Sequence, residues 1–556
     1  MIKIKRGLQT AESRIDSLHN NTNFLKTKKR EVKQSKICVV IDPRTFPQQD
    51  CRIQMNLVEK FAKAGMFVAV FLTHPSALED LNKQSVFSEH NIPIFSFQYS
   101  GPPVSSLLPA VHSYHVMQWM LENVSHFDVV HFPLIGGSAY YTLLAKHQGW
   151  AFQQTLFYID AYSATLWHKD LHKQWIDQVD DLAADFMEKE SVYLADCLMG
   201  HVDELFNWMK ANEWKLPQKI FHFSKEEGEV NDLNRYEKIR NIQYLSQTFP
   251  YSPVKHEDCF PLVSVCLTHF NRPHYLAQAL DSLNLQDYPH FEVILIDDAS
   301  THPEAIAFLE RLNEEFKLKG WTIIRNKKNL FPGAARNLAV SHSKGEYLLF
   351  MDDDNYAKLN QISFFVKVAQ RVGADILTCA MDVFVSSHAP LQNIYPIHRF
   401  LPMGAATGVG LYLNLFGDMN ALIKKKAYEN LNGLTEERGV GGEDWEFFSR
   451  AVLQGYHLET IPVALFWYRD TPNSITKTTH LYANSLRGIR PYLDSAPPAL
   501  RHHLLLGQAQ QEKLQKLLHE HNHLGRLLKR CWQLFSLRAW QAISNPSLLF
   551  KKILKK

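Results

Sequence analysis

Residues 347–355 read Tyr-Leu-Leu-Phe-Met-Asp-Asp-Asp-Asn, and the fold turns on how they are read. An uninterrupted apolar run, Tyr347 to Met351, is what a strand covered on both faces needs, as in a parallel sheet packed between helices. The run stops in Asp352, Asp353, Asp354 and Asn355, so the strand's carboxyl end opens on a polar space. Open α/β sheets bind ligands at that end.

Two upstream strands end in the same way. Leu262-Val-Ser-Val-Cys-Leu267 runs into Thr268-His-Phe-Asn-Arg272, and the strand Glu292 to Ile296 runs into Asp297-Asp298-Ala-Ser-Thr301. Together the three ends imply one shared crevice. Crowded carboxylates repel one another, so a cation is required if all are to stay ionised. A hard divalent ion, Mn²⁺ or Mg²⁺ holding a diphosphate, meets that need and would stabilise charge on a departing nucleoside diphosphate. Asn329-Leu-Phe-Pro-Gly333-Ala-Ala-Arg336-Asn337 reads as a turn opening a helix, with an Arg one turn in, a setting that suits phosphate oxygens. Gly441-Gly442-Glu443-Asp444-Trp445-Glu446 opens another helix. Its first-turn carboxylates would face the cleft, where one can take a proton from an acceptor hydroxyl.

These stretches, taken in order, resemble a family 2 glycosyltransferase with the GT-A fold over residues 261–480. The matching pieces are Val265 to Arg272, Ile294 to Asp298 with Ser300, Gly333 to Asn337, Leu349 to Asp354, Gly442 to Trp445, and Trp467-Tyr-Arg469 with Ser474. The resemblance implies an inverting, hexosyltransferase-like enzyme that uses a nucleotide-sugar donor. It implies that Thr268, Asn271 and Asp297 hold the nucleoside with Asp298 in support, and that Arg336 and Asn337 lie near the base or diphosphate. Arg272, Gly333 and Asp353 fall in the same donor-binding set. Asp352 would contact ribose or metal, Asp354 would ligate the metal, and Gly417-Asp418-Met-Asn420 would line the donor sugar. Asp444 would be the catalytic base, with Glu443 beside it orienting acceptor or sugar. The Q-x-x-R-W signature of processive synthases is absent, which favours addition of one or a few sugars. A sugar-nucleotide pyrophosphorylase would show a Gly-rich loop after the first strand, and Thr268 to Arg272 has no glycine. A non-catalytic glycan- or partner-binding module is the third reading. His269 and His480 could be metal ligands, but lone histidines are read as packing.

Outward from this centre, the expected fold class is α/β. The GT-A domain (258–480) is preceded by a Rossmann-like doubly wound domain (36–225) and a linker (226–257), with a basic segment (1–35) before and a helical basic C-terminal region (481–556) after. The N-terminal expectation rests on the apolar run Ile37 to Asp42, a helix from Ile53 to Ala64, a strand Phe67 to Leu72, Asp128 to Phe132 followed by Gly136-Gly137, and Thr155 to Ile159. Of these, Lys36 to Asp42 and Asp128 to His131 with Gly136-Gly137, together with Glu190 to Asp196, resemble the N-terminal half of a family 4 (GT-B) glycosyltransferase. His131 and the two glycines read as scaffold, because the half that would hold the nucleotide is replaced.

Charge is uneven. Residues 1–35 carry +6 and residues 523–556 carry +8, leaving −11 for the middle of a chain whose formal net charge is +3. Basic ends on an acidic body suggest an anionic membrane surface for the ends, and no nucleic-acid reading motif is present. The longest uncharged run, Phe400 to Gly417, holds Pro402 and Asn414 and reads as a lining loop. Seven scattered cysteines without a C-x-x-C pair favour a reducing compartment. The expected partners are a nucleotide-sugar and a glycan or lipid-linked saccharide acceptor, and the expected place is cytoplasmic, peripheral on the inner membrane face.

Overall fold

The computed structural model describes residues 36–42, 48–74, 85–96, 99–200, 203–222, 260–390, 394–471, 478–514 and 516–517. The expected N-terminal basic segment, the linker 226–257 and the basic residues 523–556 lie outside the described residues.

The chain is α/β and builds two sheets. Seven strands of the first are β1 (Lys36–Ile41), β2 (Phe67–Leu72), β3 (Ile94–Ser96), β5 (Val129–Pro133), β6 (Leu156–Asp160), β7 (Cys197–Gly200) and β8 (Ile220–His222). Their order is β3-β2-β1-β5-β6-β7-β8, and every pairing is parallel. In β1, Cys38 and Val40 enter one apolar cluster while Ile37, Val39 and Ile41 enter another. That two-residue alternation, buried on both sides, is why the strand reads as continuously apolar. The stretch Ser191 to Met199, ambiguous in the sequence, divides: helix runs to Leu194 and strand begins at Cys197.

The second sheet contains β9 (Val263–His269), β10 (Phe291–Asp297), β11 (Thr322–Arg325), β12 (Tyr347–Asp352), β14 (Ile376–Phe384), β15 (His398–Phe400) and β16 (Leu422–Lys424). β13 (Tyr356–Ala357) and β17 (Leu458–Arg469) join it through β17, which pairs with β13 and β14. The path runs β11-β10-β9-β12-β16-β14-β15 and ends in β4 (Val104–Ser105), which comes from the N-terminal part of the chain. Parallel pairing sets Thr268 opposite both Ile296 and Asp352, and His269 opposite Asp297. The strand ends that the sequence marked as polar therefore come level. In β12, Tyr347, Leu349 and Met351 pack on one side and Leu348 and Phe350 on the other.

The two sheets share a core. Six helices matter below: α1 (Leu108–Asn123), α2 (Tyr140–His147), α3 (Val179–Leu194), α4 (Phe331–His342), α5 (Glu443–Leu453) and α6 (Leu481–Ser495). Residues of α1, α2 and α3 cluster with Ala380, Leu401, Met403, Ala406, Val409, Leu415 and Ala464 of the C-terminal part. Hydrogen bonds cross the same seam, Gln148 Nε2 donating to the buried Thr460 O at 2.8 Å and Arg399 Nη1 to the Tyr114 hydroxyl at 2.6 Å. The boundary expected at residue 480 also runs through a contact, since α6 lies along α5 and Gly488 approaches the Trp445 ring so closely that a Cβ there would clash.

Truncating Leu401, fully buried in the shared cluster, should cost about 2–5 kcal/mol. Urea unfolding of Leu401→Ala, followed by far-UV circular dichroism and tryptophan fluorescence, should show coincident transitions at a lower midpoint. Two separated transitions, only one of them displaced, would show that the cores are independent.

Candidate active site

The site forms where β9, β10 and β12 end and where α4 and α5 begin. Three non-glycine residues with left-handed backbone flank it: Asn271 (φ 56°), Ala299 (φ 65°) and Phe331 (φ 70°). Such strain persists only where surrounding contacts impose it, and it concentrates at functional sites. The contacts are visible. Asn271 Oδ1 accepts from the amides of Thr301 and His302 at 2.8 and 2.9 Å. Asp298 accepts from the amides of Leu330 and Phe331 and from Asn326 Nδ2, at 2.8 to 3.0 Å. Asp297 is fully buried, accepts from Ser300 N at 3.1 Å and pairs with Arg325 at 3.2 Å. These three side chains hold the rim's backbone in shape.

The Asp352–Asp354 triplet diverges. Asp352 Oδ1 accepts from Thr268 Oγ1 at 3.1 Å and from Arg336 Nη2 at 2.7 Å. Asp353 turns inward, fully buried, with Oδ2 at 2.6 Å from His269 Nδ1 and an ion pair to Arg272 through Oδ1. Asp354 Oδ2 takes Arg272 Nη1 at 2.5 Å, and its carbonyl oxygen accepts from Arg469 Nε at 3.1 Å. His269 is thus a packing histidine paired to the triplet, while the structure gives Arg469 a direct hold on it.

Arg336, only 5% exposed, spans the cleft. Besides Asp352 it donates through Nη1 to Glu443 Oε1 at 2.7 Å. Glu443 and Asp444 occupy the first turn of α5, as the Gly-Gly approach predicts. Gly442 takes φ 80°, and a Cβ there would sit 3.0 Å from Asn484 O, so the left-handed backbone and the tight approach favour glycine. Asp444 Oδ1 accepts its neighbour Trp445 N at 2.7 Å and Oδ2 accepts Asn414 Nδ2 at 3.0 Å. Gly333 packs its Cα against Thr435 O, and Asn337 holds the turn at Leu434 by donating to its carbonyl at 2.9 Å and accepting from its amide at 3.0 Å. Both serve the wall of the cleft, the Asn337 amide turned to the Leu434 backbone and to Glu436 and Tyr428.

The carboxyls divide electrostatically. Burial opposes the Asp352 carboxylate, but Arg336 and Arg272 outweigh it and hold its pKa below the ordinary value. Asp354 is pushed up to about 7 by burial and by Asp353 and Asp352, against Arg272. Asp418 rises to about 7 through burial and the nearby Asp444. Asp444 rises to about 6 through burial and Glu443. A cleft with carboxyls raised in this way fits a divalent cation electrostatically, with Asp352 and Asp354 at present paired to Arg336 and Arg272. Among the described residues no three His, Cys, Asp or Glu side chains are grouped to enclose an ion, so remaining ligands would come from a diphosphate.

Sequence reasoning missed the clasp behind α5. Arg487 of α6 is 1% exposed, donates through Nε to Glu446 at 2.9 Å, and holds the carbonyls of Val440 and Thr435 at 2.8 and 2.6 Å. Asn484 Oδ1 accepts from Gly441 N at 2.8 Å. The only local signal for them was helical periodicity.

Residues 264–429 match the family model described as glycosyl transferase family 2, and residues 411–481 match that described as the N-terminal domain of galactosyltransferase. The poly(ribitol-phosphate) beta-N-acetylglucosaminyltransferase TarS of Staphylococcus aureus is 30% identical over 120 residues, 21% of this chain and 20% of TarS. The chain therefore spans about a fifth of that relative's length. The uncharacterized glycosyltransferase MJ1057 of Methanocaldococcus jannaschii is 24% identical over 215 residues, 38% of this chain and 71% of that protein. Among solved structures, S. aureus TarS 1–349 in complex with UDP-GlcNAc aligns at 17% identity and a TM-score of 0.36, over 45% of this chain and 72% of that one. The mannosyltransferase PcManGT of Pyrobaculum calidifontis, in complex with GDP-Man and Mn²⁺, aligns at 18% identity and a TM-score of 0.31, over 45% of this chain and 69% of that one.

Asp418 offers a test of the cleft's electrostatics. Its folded pKa of about 7 lies above the ordinary 3.8, so its contribution to stability is fully present below the ordinary value and is lost as pH rises through about 7. Asp418→Asn should therefore raise the melting temperature at pH 8 and leave it nearly unchanged at pH 4, measured by scanning calorimetry without metal or nucleotide. Equal shifts at both pH values would contradict the electrostatic account.

Proposed function

We propose, taking the family 2 glycosyltransferase match at 264–429 as premise, that the chain is an inverting, metal-dependent glycosyltransferase. It would move a hexosyl-like sugar from a nucleotide-sugar to a hydroxyl of a glycan or lipid-linked saccharide. One observation carries the reading: Arg336 joins Asp352 to Glu443 at 2.7 Å each, so the carboxylates suited to a donor diphosphate and those suited to an acceptor share one guanidinium.

The nucleoside would enter along the β9 and β10 ends, where Thr268 and Asp297 lie and where Asn271 and Asp298 hold the rim. Asp352 and Asp354 would hold Mn²⁺ or Mg²⁺, which when bound would neutralise the diphosphate leaving group as a Lewis acid. Arg272 would supply further positive charge there. Asp418, beside Asp444 in the electrostatics of the cleft, would line the sugar. Asp444 would accept the proton of the attacking hydroxyl at its Oδ2 side while Asn414 and the Trp445 amide hold the carboxylate. With a pKa near 6, the base is ionised at neutral pH without being too weak to take a proton. A single displacement at the sugar carbon needs no covalent nucleophile and inverts configuration.

The N-terminal sheet we read as the Rossmann-like, GT-B-half-like domain. Its partner acceptor and the cytoplasmic, peripheral placement rest on the basic ends, whose positive charge suits an anionic bilayer. Among the described residues no helix is long and apolar enough to cross a membrane.

Nucleoside diphosphate release from UDP-, GDP- and dTDP-sugars, with Mn²⁺ or Mg²⁺, tests the reading. Release from one donor should depend on metal and fall about 10² to 10⁴-fold in Asp444→Asn. Its rate should drop as pH falls below about 6, where Asp444 protonates. Pyrophosphate as product, or full activity in Asp444→Asn, would overturn it.

A further inference from the structure

The segment 401–416 runs between the two sheets, and its backbone carbonyls are held by aromatic donors from three helices. Tyr141 Oη donates to Pro402 O and Tyr140 Oη to Met403 O, both at 2.8 Å, from α2 of the N-terminal part. Tyr492 Oη of α6 donates to Thr407 O and Trp445 Nε1 of α5 to Gly410 O, both at 2.7 Å. Leu401, Met403, Ala406, Val409 and Leu415 are buried in the cluster shared with α1, α2 and α3, and the turn Thr407–Gly410 packs on both α3 and α5.

The same segment returns one side chain to the chemistry, Asn414, whose Nδ2 donates to Asp444 Oδ2 at 3.0 Å. A short chain of bonds links the two ends. The Tyr140 hydroxyl holds Met403 O, Met403 N donates to Leu415 O at 2.7 Å, and Asn414 is the next residue back. Tyr140 and Tyr141 are 3% and 0% exposed, so each hydroxyl has lost water and depends on its one carbonyl partner. Coupling through packed side chains and hydrogen bonds needs such a contiguous path.

We propose that the N-terminal sheet and its helix α2 are a positioning module for the catalytic carboxylate: Tyr140 and Tyr141 fix segment 401–416 so that Asn414 aims Asp444. This assigns the N-terminal part a role in the transfer step without any ligand of its own. It rests on the reading of Asp444 as base, which Asp444→Asn tests separately.

The test uses the full chain carrying Tyr140→Phe with Tyr141→Phe, which removes two hydroxyls and little volume. Hydrogen–deuterium exchange comes first, because it needs no substrate. Uptake should rise in peptides covering 401–416 and 441–446 and stay level in 262–300. Kinetics then use whichever of the UDP-, GDP- or dTDP-sugars the wild type turns over. The kcat for nucleoside diphosphate release should fall about tenfold with donor KM within about twofold, since a misplaced group acts on the rate step. In an Asn414→Ala background the same pair should cost less than about twofold, because coupled residues are not additive. Unchanged exchange at 441–446 would overturn the proposal, and so would a loss that multiplies fully in the Asn414→Ala background. If Asp444→Asn proves fully active while exchange at 441–446 still rises, the mechanical link stands and the base assignment fails. If the double variant does not fold, Tyr140→Phe alone carries both measurements.

Discussion

The Arg336 guanidinium lies buried between Asp352 and Glu443, 2.7 Å from each, and the rest of the cleft depends on that arrangement. Removing either partner of a buried ion pair leaves a charge without compensation, at a cost of several kcal/mol. The pairing also sorts the carboxyls. Asp352, in contact with the cation, stays ionised below its ordinary pKa, while Asp354, Asp418 and Asp444 are pushed upward by burial and by one another. A cleft so divided sets carboxylates paired to arginines beside groups whose raised pKa lets them respond to an arriving cation or proton. The geometry links a β-strand end to the first turn of a helix 91 residues later in the chain, so fold and electrostatics cannot be separated here.

Several residues in the motifs have more scaffold work than their positions suggest. Asp298 caps the backbone of Leu330 and Phe331, Asn271 ties its own loop to Thr301 and His302, Asn337 holds the turn at Leu434, and Asp353 is sunk against His269. Left-handed backbone at Asn271, Ala299 and Phe331 shows what these ties maintain: a rim of strained turns that would otherwise relax.

The shared core changes what the N-terminal part can be. A separate domain on a linker would bury its own apolar surface and meet its neighbour through a polar, smaller interface. Here β4 completes the edge of the second sheet, and Leu401, Val409 and Leu415 sink among helices of the first. The segment that borders Asp444 thereby takes its shape from both halves.

How much of this the sequence determined follows from the range of the forces involved. Strand positions, the level of the polar strand ends and the helix start at Glu443 were legible, because side-chain alternation, apolar runs and a left-handed glycine before a helix are local. The six motifs in order pointed to the cleft for the same reason. What Arg336 touches, which way Asp353 turns, and the parts played by Asn414, Arg487 and Asn484 were not legible. Each depends on a partner tens of residues away, and no local pattern encodes that partner. The two tyrosines of α2 are the clearest case. In the sequence they are ordinary helix residues, and only packing against a loop more than 260 residues later gives their hydroxyls something to hold.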